Sequence, residues 1–191
     1  METLRVYLSH PALQAYLVLI AALSLATSGP LAVGIPSLAR IRFDGSVSLG
    51  LMLSASGAGA FVGTLLAGSR GRLRRRGALL LGVNALIGVL LIVLAYAPTV
   101  LSASLVIGAM ACGSSFVNLI AMAKLQEADR AILGRLMGVV MLASVGLAPV
   151  SYLLAGLASA VDPTLMFGAA GAIVLAATSR AALVPALRQV D

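Results

Sequence analysis

The sequence has few charged residues and hardly any of the side chains that build catalytic or metal sites. Only 10% of its 191 residues are charged, and it contains one cysteine, one histidine and no tryptophan. A soluble domain carries roughly 25% charged residues, so this composition excludes a water-exposed globular surface. Disorder is excluded as well, because it requires low hydrophobicity together with high net charge.

Carboxylates are also scarce, and none falls inside a long apolar run. The six are Glu2, Asp44, Glu127, Asp129, Asp162 and Asp191. The sequence has no G-x-S-x-G nucleophile elbow, no H-E-x-x-H zinc motif and no Walker phosphate loop. One histidine and one cysteine do not make a metal site. We therefore expect no enzymatic activity, no metal and no cofactor. Proton coupling would need a titrating group from another polypeptide or from His10.

What the chain does contain is long apolar runs, since 61% of its residues are hydrophobic. A membrane-spanning helix needs about 20 apolar residues. The runs predict six transmembrane helices, at residues 13–35, 47–68, 78–97, 100–123, 136–159 and 164–184. They do not alternate polar and apolar residues with a period of two, which argues against membrane-spanning strands. The predicted fold is therefore all-α, with residues 1–191 forming one polytopic domain in a lipid bilayer.

The net charge of +7 follows the predicted topology. Of the 13 lysine and arginine residues, only Arg40 and Arg42 fall in a predicted external loop. The positive-inside rule then places both termini and the two basic loops in the cytoplasm, as expected for a protein of the plasma membrane. Because the basic residues mark topology and form no base-reading face, nucleic acid is not an expected partner.

Glycines and prolines predict how the helices pack and bend. Gly59–Gly63 and Gly134–Gly138 match the G-x-x-x-G spacing, which allows close backbone approach, and packing within the bundle is favoured over a dedicated dimer face. Pro30 and Pro36 in the first predicted span and Pro149 in the fifth are helix-kink candidates, because proline removes a backbone hydrogen bond. A gating bend and a static kink are both compatible with these prolines.

Two spans carry small and polar residues in steps of three and four. In span four these are Ser104, Gly108, Ala111, Ser115, Asn118 and Met122, and in span five Met137, Met141, Ser144, Ala148, Ser151 and Ala155. Such faces line a mildly polar cavity or supply interhelical hydrogen bonds, and both interpretations stay open. The candidates for a substrate cavity are Ser28, Ser115, Asn118, Met141 and Ser144. Asn84, alone in span three, is assigned to interhelical bonding.

The basic loop after the second span reads GSRGRLRRRG over residues 68–77. It resembles the loop G-x-x-a-D-r-x-G-r-r of the major facilitator superfamily, although a purely basic run replaces the acidic position. The stretch QEADRAILGRLMG over residues 126–138 is similar to the segment before the eleventh helix in the drug and siderophore exporter branch. The gating candidates in these two segments are Arg70, Arg72, Arg74, Arg75, Arg76, Gly134 and Arg135.

The resemblance covers helices seven to twelve of a twelve-helix transporter and implies a half built as 3+3 inverted repeats. Spans one, two, four and five would line the central cavity, and spans three and six would be peripheral. A transporter of this kind rocks two six-helix halves around a shared site. The chain would therefore need a second half, either another copy of itself or a separate chain.

The expected function is efflux of small amphipathic molecules by alternating access, as the C-terminal half of a secondary transporter. The small-molecule substrate and the second half are the expected partners besides the bilayer. The alternative is a non-transporting protein, that is, a membrane interaction or regulatory subunit, a pseudo-transporter or a truncated fragment. The arginine loop could also serve to recruit anionic lipid.

Overall fold

The computed structural model describes residues 24–43, 45–69, 76–126, 138, 141 and 146–182. Within these ranges every regular element is helical and no strand is present. The all-α prediction is therefore confirmed for the described part of the chain.

Six α-helices follow one another along the described residues. The first span, residues 24–42, starts as a helical segment over 24–29, continues through a π-helical turn at Pro30–Gly34 and ends as α1, Ile35–Arg42. The later helices are α2 (Ser46–Ser69), α3 (Arg76–Ala95), α4 (Val100–Gln126), α5 (Ala148–Val161) and α6 (Pro163–Ala182).

Three helices have the length and composition of a membrane span. They cover Ser46–Ser69, Val100–Leu119 and Pro163–Ala182. Leu79–Ala95 and Ala148–Ala160 are also apolar, but these described stretches are shorter. The structure thus supports a helical membrane protein, with three spans long enough to cross on their own.

The three predicted kink prolines lie in two different settings. Pro149 is the second residue of α5 and follows a turn at Gly146–Leu147, so the fifth span is interrupted before this proline. Pro30 opens the π-helical turn and Pro36 is the second residue of α1. Pro149 is tolerated because the N–H that it lacks would have no intrahelical partner at a helix start. Pro30 and Pro36 lie inside the continuous helical run of residues 24–42, where a proline removes a backbone hydrogen bond.

The helices pack in specific pairs. α2 runs along α4, α3 runs along α6 and also contacts α4, and the π-helical turn contacts both α5 and α6. The core lies mainly among the first span, α3, α4 and α6. Its largest fully buried apolar side chains are Leu38, Met52, Leu91, Leu94, Ile107, Phe167 and Val174.

Glycines bring the backbones of paired helices into contact. A Cβ atom added at Gly59 would overlap the backbone of Gly108, and one added at Gly63 would overlap that of Cys112. We call this contact the α2–α4 seam. The Gly59–Gly63 motif therefore packs within the bundle, which is the interpretation that its spacing favoured over a dimer face. In lipid such close approach replaces the hydrophobic drive for helix association.

Candidate functional site

The structure separates the predicted cavity residues onto different helix pairs. Ser28 is half-buried in the first span, whereas Ser115 and Asn118 lie one turn apart on α4, half-buried and exposed respectively. Among the described residues no hydrogen bond joins Ser28 to either of them. Met141 is 67% exposed. Outside the described residues lie Ser144, Arg70, Arg72, Arg74, Arg75, Gly134 and Arg135, while Arg76 starts α3.

The two ends of the predicted stripe on α4 differ in burial. At its N-terminal end Ser104 is buried, and Gly108 lies on the α2–α4 seam, where an added Cβ would approach the Ala55 carbonyl oxygen to 3.1 Å. Toward the C-terminal end Ser115 is half-buried and Asn118 is exposed. The N-terminal end of the stripe therefore packs between helices, whereas Asn118 further along it is exposed.

In the span-five stripe the order of exposure is reversed, since the earlier residue is exposed and the later ones are buried. Ser151 and Ala155 are buried and pack against Gly29 of the first span, where an added Cβ would lie 2.7 Å from Ser151 Oγ and 2.8 Å from Ala155 Cβ. Met141, earlier in the stripe, is exposed. Each stripe thus combines an interhelical contact with an exposed portion.

α2 carries a second small-residue face that packs against nothing in the described part of the chain. Gly50 and Gly57 lie opposite Gly59 on the helix, both are exposed, and an added Cβ would meet no atom within 4 Å at either. Ser54 and Phe61 on this side are exposed too. Only 11% of the apolar window of α2 is buried. The small residues of this open α2 face allow another helix to approach closely, and the exposed Phe61 adds apolar surface to it.

A buried hydroxyl joins the first span to α5. The Ser151 hydroxyl accepts a hydrogen bond from the Gly29 N–H at 2.7 Å and donates one to the Leu25 carbonyl at 2.6 Å. Ser151 is 2% exposed, so these bonds are shielded from water. The contact lies immediately before the π-helical turn.

A cationic side chain joins three helix ends at one side of the bundle. Arg42, the last residue of α1, donates to the carbonyl of Ala95 at the C-terminus of α3 at 2.8 Å and to Thr164 Oγ1 near the start of α6 at 3.2 Å. The Ala95 carbonyl belongs to the last turn of α3, where carbonyls have no intrahelical donor and a cation is favoured by the helix dipole. The ends of α1 and α3 and the start of α6 therefore meet at one side, as alternating helix directions require.

Asp162 completes this cluster as the N-cap of α6. Its Oδ1 accepts the Thr164 N–H at 2.7 Å, and Pro163 occupies the first helical position, where proline is favoured. The Thr164 backbone bond lowers the pKa of Asp162 below its ordinary value; the Thr164 side chain and the Arg42 charge act in the same direction. The carboxylate is therefore held in its ionised form.

The partners in two of these contacts were not predicted from the sequence, although Ser151 belongs to the span-five stripe, for which interhelical hydrogen bonding was one of the two interpretations. Gly29-Pro30 signalled an irregular helix, but nothing local identified Ser151, 122 residues from Gly29, as its partner. Arg42 was recognised only as an external charge. Its partners Ala95 and Thr164 are 53 and 122 residues away.

Comparison with protein-family models, with curated proteins and with solved structures finds no match to this chain. The functional argument therefore rests on the residues and their geometry.

Proposed function

We propose that the chain is one six-helix half of a major-facilitator-type secondary transporter that exports small amphipathic molecules by alternating access. It would reside in the plasma membrane with both termini in the cytoplasm. The observation that carries the proposal is the pairing of the helices, which leaves one face of α2 open.

The pairing supports a repeat of three helices followed by three. Such a repeat relates the first span to α4, α2 to α5 and α3 to α6. Under this exchange, the contact between the first span and α5 corresponds to the contact between α4 and α2. The α3–α6 contact maps onto itself, and the α3–α4 contact becomes the contact of α6 with the first span. All of these contacts are present, whereas the contacts of α1 with α2 and of α5 with α6 have no counterpart of comparable extent among the described residues. The pairs that do exchange are those that an inverted-topology repeat would produce.

The α3–α6 contact has the geometry expected next to the axis of such a repeat. An added Cβ at Gly88 of α3 would lie 3.2 Å from the Gly171 carbonyl oxygen, and one at Gly171 of α6 would lie 2.6 Å from the Gly88 carbonyl oxygen. Each glycine therefore opposes the other. A local two-fold axis that relates α3 to α6 would make these two contacts equivalent.

In this proposal the exposed Asn118 belongs to the cavity wall, and the open α2 face, which points away from α4, packs against the second half. By the repeat proposed here, α2 and α4 line the central cavity, whereas α3 and α6, which hold much of the core, are peripheral. A single half leaves the cavity open on one side. We propose that a second six-helix half, another copy or a separate chain, closes it.

Reconstitution tests the transport function. The purified chain, alone and together with candidate partner halves, is placed in proteoliposomes, and the movement of amphipathic fluorescent dyes is followed with and without an imposed ion gradient. We expect gradient-dependent flux in at least one combination. The absence of flux in every combination would reject the transporter in favour of a non-transporting membrane protein.

Water accessibility separates the two functions independently of flux. In a Cys112→Ala background, single cysteines replace Asn118 and, as a control, the 67% exposed Leu105 on another side of α4. A membrane-impermeant thiol reagent should label the cysteine at 118 and leave the one at 105 unmodified. Added substrate should slow the labelling at 118. A cysteine at 118 that is as inert as the one at 105 indicates packing against lipid or protein.

Cross-linking identifies the second half. Ser54→Cys places a thiol on the open α2 face, and Ala55→Cys places one on the neighbouring residue that faces the α2–α4 seam. If two copies pair through the open face, oxidation should link Ser54→Cys chains into dimers and leave Ala55→Cys chains monomeric. Equal cross-linking at both positions would argue against pairing through this face.

A further inference from the structure

The Ser151 hydroxyl bonds to both ends of one turn of another helix. It contacts the Leu25 carbonyl at 2.6 Å and the Gly29 N–H at 2.7 Å. These two groups are four residues apart, so in an uninterrupted α-helix they bond to each other. A side chain inserted at this point is one of the recognised causes of helix bending.

Few hydrogen bonds within the first span itself stabilise the backbone around Gly29. Pro30 follows Gly29 and has no N–H to donate to the preceding turn. The next turn is π-helical, with the Ile35 N–H bonded to the Pro30 carbonyl five residues earlier. Gly29 has no side chain, and an added Cβ would overlap Ser151. The conformation here thus depends on Ser151 and on the close approach that Gly29 allows.

A second arrangement also satisfies every one of these groups. A helical serine can donate to the carbonyl four residues earlier, which for Ser151 is that of Leu147. That carbonyl already accepts the Ser151 N–H at 3.0 Å and has a second lone pair. With the hydroxyl turned away, the Leu25 carbonyl and the Gly29 N–H can bond to each other. No buried group is left unpaired in either arrangement.

We propose that Ser151 is a hydrogen-bond latch that switches the first span between two states. In the bridged state, which the structure shows, the hydroxyl bonds to both the Leu25 carbonyl and the Gly29 N–H. In the closed state that turn has its own α-helical bond and the first span moves relative to α5. Ser151 is thus a positioning residue. A role for the latch in alternating access rests on the proposed transport function, whereas the latch itself rests on these contacts alone.

Selective isotope labelling can observe the latch at one amide. Only two glycines in the sequence follow a serine, Gly29 after Ser28 and Gly57 after Ser56. Protein labelled with carbonyl-13C serine and 15N glycine, in nanodiscs, therefore gives two resonances in a carbonyl-filtered amide spectrum. Gly57 lies on the open α2 face and serves as the internal control. A Ser28→Ala variant, which loses one carbonyl label, assigns the two peaks.

Relaxation dispersion in the wild-type protein gives the first result. Helix rearrangements of this size occur on microsecond-to-millisecond timescales. We expect exchange broadening at Gly29 and none at Gly57. A flat dispersion profile at Gly29 would overturn the two-state latch, and this measurement requires no variant to fold.

Three variants then test the role of the hydroxyl. Ser151→Ala should shift the Gly29 resonance and abolish its dispersion, while Gly57 keeps its position. Ser159→Ala is the matched control, because Ser159 is also buried on α5 but its hydroxyl bonds only to the Gly156 carbonyl of its own helix. It should leave Gly29 unchanged. Ser151→Thr retains the hydroxyl and should retain the dispersion. A Gly29 resonance that is the same in Ser151→Ala and in wild type would overturn the proposal.

The experiments distinguish a failure of the latch proposal from a failure of the transport proposal. Dispersion at Gly29 that depends on Ser151, in a protein without measurable flux, supports the latch and counts against the transporter. Flux that is unchanged in Ser151→Ala, with a flat profile at Gly29 in the wild type, overturns the latch and leaves transport in place.

Discussion

Substitution of Gly59 by alanine is the sharpest test of the packing. A Cβ atom at this position would lie 2.7 Å from the Gly108 carbonyl carbon and 2.9 Å from its Cα. Carbon atoms in contact are normally about 3.5–4.0 Å apart. The α2–α4 seam must therefore open by roughly 1 Å, because the obstacle is backbone that cannot rotate away as a flexible side chain would.

The expected cost can be set against a matched substitution on the same helix. Forcing a methyl group into a packed contact typically destabilises a protein by about 1–3 kcal/mol. Gly57→Ala adds the same methyl group to the open α2 face, where an added Cβ meets nothing within 4 Å. Alanine favours a helix by up to about 1 kcal/mol relative to glycine. Because both substitutions gain this propensity equally, it cancels in the comparison, and we expect Gly59→Ala to be less stable than Gly57→Ala by about 1–3 kcal/mol.

Steric-trap unfolding in a bilayer or bicelle measures this difference under native conditions. Both variants are compared with the wild type as free energies of unfolding. Equal stability of Gly59→Ala and Gly57→Ala would refute the reasoning, because it would mean that α2 and α4 do not meet at Gly59. Destabilisation by Gly57→Ala alone would instead indicate that the packed face of α2 is the one that the structure leaves open.

The remaining predictions concern the charged cluster and the open end of α4. Arg42→Gln should lower the free energy of unfolding by at most about 1 kcal/mol because the side chain is largely exposed, while Arg40→Gln, the nearby exposed arginine, should have no effect; chemical unfolding in detergent compares them. The pKa of Asp162 is lowered in the folded protein, chiefly by the Thr164 N–H, so its contribution to stability is present above the ordinary carboxylate pKa and lost as the pH falls through the lowered value. Asp162→Asn should remove that part of the acid dependence, and identical pH profiles for the two proteins would contradict this. Asn118→Ala should reduce dye flux in proteoliposomes without changing the free energy of unfolding, and a loss of stability without a change in flux would assign Asn118 to packing.

Several features of the fold could be predicted from local sequence, and others could not. The Gly59–Gly63 spacing predicted a close helix contact, and the structure identifies its partner as Gly108 and Cys112. The α4 stripe was predicted as one face, but its two ends differ, since Ser104 is buried and Asn118 is exposed. Periodicity groups residues on one side of a helix, but neighbouring helices cover that side unevenly along its length.

The α2 helix illustrates why one sequence pattern allows two structures. Gly59 and Gly63 lie on the packed side, whereas Gly50 and Gly57 lie on the open side. Both sides carry glycine at helical spacing. In a soluble protein the polar residues would mark the outer side, but lipid tails are as apolar as leucine, so hydrophobicity does not distinguish the outside of a membrane bundle from its core.

The sequence by itself determined the helical secondary structure and the apolar character of the chain, because both follow from sums over neighbouring residues. It also located the irregular turn at Gly29-Pro30, since the missing N–H of proline is a property of that residue alone. Only the tertiary structure decided that Ser151 enters that turn and that Arg42 reaches the ends of α3 and α6. These contacts join residues far apart in the chain, and close packing of specific helices, rather than any local preference, brings them within hydrogen-bonding distance.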